Sequence, residues 1–200
     1  CAVQTGVGAV FNTCRVQPGQ SVAIIGLGGV GLAALLGAIA AGATEIVAID
    51  FSDEKLVIAR DLGATHTVNA GDPDAAAKVR EATRGGVDHA LELAGAVSAF
   101  ELAYAVTRRG GQTVTAGLAS PSATFQIPAV NIVAEERTVK GSYMGSCVPR
   151  RDIPRYIAMF RAGQLPVDKL LTCTLSLDEI NDGFDRLDRG EAIRQVVRFA

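Results

Sequence analysis

Gly26-Leu27-Gly28-Gly29-Val30-Gly31 restricts the fold of this chain more than any other segment. G-x-G-x-x-G alone is weak, because Gly-rich loops are common. Here its context is specific. The run directly follows Ser21-Val22-Ala23-Ile24-Ile25, a short apolar segment with β-branched residues. It directly opens Val30 to Ala41, which is rich in Ala and Leu and is stopped by Gly42. The first segment reads as a strand buried on both faces, the second as a helix. Strand, glycine turn and helix in this order form a dinucleotide fingerprint. Gly26 permits the tight turn, Gly28 lets the backbone approach a pyrophosphate, and Gly31 lets the helix pack closely on the strand. The loop, with Gly29 and Val30, ends at a helix N-terminus whose unpaired N–H groups and positive dipole end face the phosphates.

Asp50 ends the next strand-like run, Ile46 to Ile49. A carboxylate there accepts hydrogen bonds from the adenosine ribose hydroxyls and repels a 2′-phosphate. Phe51, not Arg, follows it. Together they favour NAD over NADP. The competing reading of Asp50 is a helix cap. Lys55, one turn into the following helix, either reaches the ribose or lies in solvent.

The pattern continues beyond the loop. Strands are expected at Glu45–Ile49, His66–Val68, Val87–Leu93, Gln112–Ala116 and Thr138–Ser142. Helices are expected at Ala2–Val16, from Ser52 or Asp53 to Leu62, and at Pro73–Thr83, Val97–Val106 and Pro128–Ala134. Such alternation predicts an α/β fold: a doubly wound Rossmann parallel sheet with helices on both faces. This domain should span residues 2–144. After about Gly145 the rhythm changes, with helices at Ile153–Ala162 and Leu177–Leu187 and a strand at Val196–Phe199. Residues 145–200 read as a C-terminal α/β tail that does not extend the sheet.

Composition removes several classes of function. The net charge is −2 and no stretch concentrates Lys or Arg, so neither a nucleic-acid surface nor a polybasic membrane anchor is expected. The longest apolar stretch, Val30 to Ala43, is broken by Gly37 and Gly42 and is too short for a membrane span. The four cysteines are widely spaced without C-x-x-C, which fits a reduced, cytoplasmic compartment and excludes a zinc ribbon. Because the chain opens on Cys1 and not Met, its natural N-terminus is expected to be removed or not included.

Four stretches, in order, carry a resemblance to a known family. Cys1-Ala2-Val3-Gln4-Thr5-Gly6, the Gly26–Gly31 loop, Gly85-Gly86-Val87-Asp88 and Gly190-Glu191-Ala192-Ile193-Arg194 are similar to segments of the zinc-type medium-chain alcohol dehydrogenases. The resemblance covers the chain from Cys1 to its end. It implies oxidation of an alcohol to an aldehyde or ketone by hydride transfer to NAD, with a zinc ion polarising the alcohol oxygen. In the family two Cys and one His hold that zinc, and Cys1 matches one of the Cys ligands. Thr5 matches a residue beside the nicotinamide and Val30 the residue packing on its far face. Ala116, Leu118, Ser142 and Met144 match positions around the carboxamide, and Arg194 an Arg on the pyrophosphate. The family's other ligands and its proton relay lie upstream of the Cys matched by Cys1, so this chain alone should be inactive and carries no catalytic residue of its own.

His66 and His89 do not replace the missing ligands, and the other cysteines read as small packing residues. In the family, the tail packs on an N-terminal catalytic domain, and two subunits join their sheets at the edge strand. A homodimer through Thr138 to Ser142 is therefore expected. Alternatives are a zinc-free quinone oxidoreductase, which Cys1 and Asp50 oppose, and a non-catalytic NAD-sensing module. The resemblance implies a small-molecule alcohol or aldehyde substrate; which one is not legible in the sequence, an aromatic and a thiol-adduct alcohol both being compatible with it.

Overall fold

A computed structural model describes residues 1–199; Ala200, the last residue of the expected tail, lies outside the described residues. Strand β1, Ser21–Ile25, is buried throughout. It pairs in parallel with β2, Glu45–Asp50, and with β4, Val87–Glu92. Strand β3, His66–Asn69, pairs with β2, while β5, Thr107–Thr115, and β6, Thr138–Gly141, extend the other side. The resulting six-stranded order is β3-β2-β1-β4-β5-β6. The order reverses between β1 and β4. In an open parallel sheet that reversal opens a crevice beyond the carboxyl ends of the strands.

Alternation along β1 sends its side chains into two cores. Val22 and Ile24 pack with Leu32, Leu35 and Leu36 on one face. Ala23 and Ile25 pack with Val79, Ala99 and Ala103 on the other. Helix α2, Gly29–Ala40, is buried from Gly31 to Ala38, so its Ala- and Leu-rich sequence is core on nearly every side. Helix α1, Ala2–Gly8, continues as a π-helical stretch, Ala9–Cys14, and ends at Arg15 in the left-handed region with φ 57°. Gly6 allows α1 to lie directly on α2, since a Cβ there would stand 2.2 Å from the Val30 carbonyl. This contact brings the first residues of the chain to the mouth of the crevice.

Helix α3, Asp53–Leu62, is capped by Ser52, whose Oγ accepts from Lys55 N–H at 3.4 Å, and ends at Gly63 with φ 116°. Helices α4, Ala75–Ala82, α5, Val97–Val106, and α6, Ala129–Ala134, complete the crossovers. The parallel sheet, its helices and most boundaries follow the sequence expectation within two residues. β5 begins five residues earlier than expected, directly from α5, and its register shifts between Val87 and His89.

The tail does not join the main sheet. Helix α7, Pro149–Arg161, starts four residues earlier than expected because Pro149 occupies the first turn, where its missing N–H costs nothing. Strand β7, Cys173–Leu175, unexpected from the sequence, pairs in parallel with β8, Gln195–Val197, across helix α8, Ile180–Asp188. The tail shares the main core through buried Tyr156, Leu165 and Leu170. Among the described residues, no helix is long and apolar enough to cross a membrane.

Candidate functional site: a dinucleotide crevice

The glycine loop has the geometry its sequence requires. Gly26 has φ +92°, and its N–H donates to the Ile49 carbonyl at 2.9 Å, which turns the chain out of β1. A Cβ on Gly31 would meet the Gly26 carbonyl oxygen at 1.8 Å, so only Gly fits where α2 leaves the loop. Gly28 caps α2 and supplies no side-chain acceptor. Around Gly28 the space is open, with nothing within 4 Å of an added Cβ. The first N–H groups of α2 therefore face an open position suited to a phosphate.

Asp50 sits at the carboxyl end of β2 and faces this loop. Its Oδ2 accepts from Leu27 N–H at 2.6 Å and its Oδ1 from Ser52 N–H at 3.0 Å. Ser52, not Asp50, caps α3, so the competing reading of Asp50 does not describe this structure. Each carboxylate oxygen keeps a further lone pair for a hydroxyl. Asp50 and exposed Phe51 line a cavity of about 200 Å³ with Gly26, Pro73, Ala94 and Ser98. This apolar slot lies at the reversal in strand order and suits the adenine end of a dinucleotide.

A second cavity, about 680 Å³, lies on the other side of the loop. It brings together Cys1, Thr5, Val30, Ala116, Leu118, Ser142 and Met144, all named from the sequence. The seven come from α1, α2 and the segments after β5 and β6, so only the closed fold makes them neighbours. Ser142 is buried, with its hydroxyl bonded to Thr13 Oγ1 at 2.7 Å and its N–H to the Thr115 carbonyl at 2.8 Å. Beyond it Met144, Gly145 and Ser146 all have positive φ, and Gly145 packs against the Gln4 and Thr5 carbonyls. That left-handed run turns the Met144 region toward the cavity.

Two named residues stand elsewhere. Lys55 is half-buried beside Gly190, with its ammonium 3.8 Å from a Cβ built there. Arg194 lines a separate apolar recess with Cys1, Val3, Gln4, Tyr156 and Phe160. Its neighbour Ile193 approaches the loop more closely, with its carbonyl 3.3 Å from a Cβ built on Gly29.

The sequence reading missed Glu92, the last residue of β4. It is 2% exposed. Its Oε1 accepts from Ala94 N–H at 2.8 Å and Gly95 N–H at 2.5 Å, and its Oε2 from Thr115 Oγ1 at 2.6 Å. Ala94 packs on Gly26, and the chain after Thr115 walls the larger cavity. Glu92 thus ties the glycine loop to the opposite wall. A carboxylate ending a buried apolar run was the available signal.

The other candidates are structural. His89 is buried with Nε2 2.9 Å from Gln20 Oε1, and burial pushes its pKa down. Cys14 is buried in the core, and burial pushes its thiol up to about 12. Cys147 corrects the expectation of a simple packing residue: its sulfur accepts from Asn12 Nδ2 at 3.4 Å and donates to the Gln4 carbonyl at 3.2 Å. Among the described residues no three His, Cys, Asp or Glu side chains group to hold a metal. Exposed Cys1 is thus a single candidate zinc ligand, and the residues present do not fit a complete zinc site.

Comparison with known proteins agrees with this geometry. A family profile described as zinc-binding dehydrogenase matches residues 29–162. The S-(hydroxymethyl)glutathione dehydrogenase of Escherichia coli is 39% identical over 202 residues, spanning 100% of this chain and 54% of that protein. Alcohol dehydrogenase 1 of Pisum sativum is 36% identical over 99% of this chain and 53% of its own length. Benzyl alcohol dehydrogenase from Acinetobacter calcoaceticus superposes with a TM-score of 0.96 at 32% identity, covering 100% of this chain and 55% of that one. The chain thus spans about half the length of the relatives it matches.

Proposed function

Since the chain belongs to the zinc-binding dehydrogenase family, we propose that it is the NAD-binding portion of an alcohol dehydrogenase that interconverts a small alcohol with its aldehyde or ketone. The observation that carries this reading is the meeting, at one end of one sheet, of the open glycine loop, Asp50 and the seven-residue cavity. In this reading bound NAD supplies the hydride acceptor. The chain's own residues bind and orient it. The α2 N-terminus takes the pyrophosphate, Asp50 the adenosine ribose, and the slot beside Phe51 the adenine. Val30 and Thr5 flank the nicotinamide from α2 and α1. Backbone groups at Ala116, Leu118, Ser142 and Met144 take its carboxamide, while Lys55 approaches from α3 and Arg194 from the tail.

Among the described residues Cys1 is a lone candidate ligand, and they do not complete a zinc site. A thiol-adduct alcohol, as the name of the Escherichia coli relative describes, and an aromatic alcohol, as the Acinetobacter title describes, are the substrate classes the similarity favours.

The reading extends to a homodimer. β6 is exposed along its length and pairs on one side only, with β5. Val130 and Val133 of neighbouring α6 are also exposed. Two such edges pairing about a two-fold axis close on themselves.

Hydrogen exchange with and without NAD tests the cofactor assignment. Protection should gather at 26–31, 50–55, 115–118 and 141–146. Protection confined to other segments, or none at saturating NAD, would overturn it.

A further inference from the structure

We propose that a recess at the far end of α2 binds a small polyphosphate anion at the same time as the crevice binds its dinucleotide. The recess, about 970 Å³, is bounded by the end of the π-helical stretch, the edge strand β6, the first half of α7 and the C-terminal end of α2 at Ala40 and Ala41. Four cations line it: Arg15, Lys140, Arg151 and Arg155. No carboxylate is among its lining residues. In a chain whose net charge is −2, this is a strong local departure. It is invisible in the sequence, because the four come from three separate places.

Their charge is not neutralised in place. Asp152, fully buried, pairs with Arg151 through Nε at 2.8 Å and Nη2 at 2.9 Å. Among the described residues, Arg15, Lys140 and Arg155 have no carboxylate partner within salt-bridge distance. The recess therefore holds about three uncompensated positive charges. The negative end of the α2 dipole, roughly half a charge, opposes an anion there and is outweighed.

Two of these cations are also held in place. The Arg155 guanidinium lies 4.7 Å above the Phe11 ring. Lys140 Nζ donates to the Thr13 carbonyl at 3.4 Å. Arg15 closes the π-helical stretch with its backbone in the left-handed region and its side chain exposed at the rim. Fixing a long side chain in advance removes part of the entropy that anion binding must otherwise overcome. Guanidinium groups present paired N–H donors to phosphate oxygens, and an ammonium adds a compact charge. Several phosphates in one ligand match several cations in one recess better than a single phosphate does. A volume near 970 Å³ accommodates a ligand of nucleotide size.

The site is separate from the glycine loop. Residues 40–41 close α2 while Gly28 caps its start, and a twelve-residue helix is about 18 Å long.

The test is calorimetric titration of the full chain with sodium tripolyphosphate, with and without saturating NAD. It is repeated for Lys140→Ala/Arg155→Ala and for a control, Lys169→Ala, an exposed cation elsewhere. One equivalent should bind whether or not NAD is present, weakening steeply with salt. The double variant should lose on the order of tenfold affinity per removed cation, and the control should match the parent. All three cations are exposed, so folding is not at stake; thermal melts check it. Competition by NAD would place the anion in the glycine loop and overturn the proposal. So would equal binding by the double variant, or no binding at millimolar ligand. Tighter binding of a poly-glutamate peptide or an oligonucleotide than of tripolyphosphate would also overturn it, assigning the recess to a macromolecule.

Discussion

Replacing Glu92 separates two ways of losing one buried acceptor. Glu92→Ala strands the N–H groups of Ala94 and Gly95, which now donate to Oε1 at 2.8 and 2.5 Å. Ala94 is exposed and Gly95 only half-buried, so water reaches the freed N–H groups, and the loss is that of two hydrogen bonds to a carboxylate, roughly 1–3 kcal/mol for the pair before the cavity is counted. That is a measurable share of the roughly 5–15 kcal/mol that holds a domain together. Glu92→Gln keeps an oxygen toward the two N–H groups. Its amide nitrogen then faces Thr115 Oγ1, which can rotate to accept. The loss is the charge assistance, about 1 kcal/mol. Urea unfolding of both variants, read by circular dichroism, measures the two costs. Cofactor titration then asks whether the loosened loops bind more weakly. Ala and Gln variants of equal stability, or an Ala variant within about 0.5 kcal/mol of the parent, would refute the role given to Glu92.

Three further outcomes follow from particular contacts. The Arg151 guanidinium holds the Asp152 carboxyl down at about 2, so its contribution is present above the ordinary value near 4 and fades as pH falls through about 2. Acid unfolding followed by circular dichroism should show Asp152→Asn to be less stable than the parent at neutral pH, with the gap closing toward pH 2. This chain alone should neither hold stoichiometric zinc after dialysis nor oxidise a primary alcohol, since a catalytic site needs three ligands; metal analysis with NADH absorbance checks both. Analytical ultracentrifugation should show a concentration-dependent dimer, and a clean monomer at high micromolar concentration would exclude pairing through β6.

The sheet was legible because its signals are local. Strand β1 ends where Ile25 meets Gly26 and helix α3 where Leu62 meets Gly63, and both glycines, at positive φ, mark the turn in the sequence itself. The start of β5 was not legible. Arg108-Arg109-Gly110-Gly111 has the composition of a turn, yet it runs on from α5 into the sheet at a register shift. β7 was missed because three residues carry no periodicity, and its partner stands some twenty residues away. In the site, residues fixed by backbone need, such as Gly26, Gly31 and Asp50, could be named from spacing. The network through Glu92 and the four-cation recess exist only in three dimensions, where strands and helices distant in sequence meet.

The central claim is that Asp50 makes this crevice an NAD site. Calorimetric titration of the chain with NAD and NADP measures it directly. A carboxylate already anchored by Leu27 and Ser52 N–H groups accepts from ribose hydroxyls and repels a 2′-phosphate. The discrimination should be on the order of a hundredfold, or about 2.7 kcal/mol, and Asp50→Gly should erase most of it. NADP binding as tightly as NAD, or a preference unchanged in Asp50→Gly, would contradict the account.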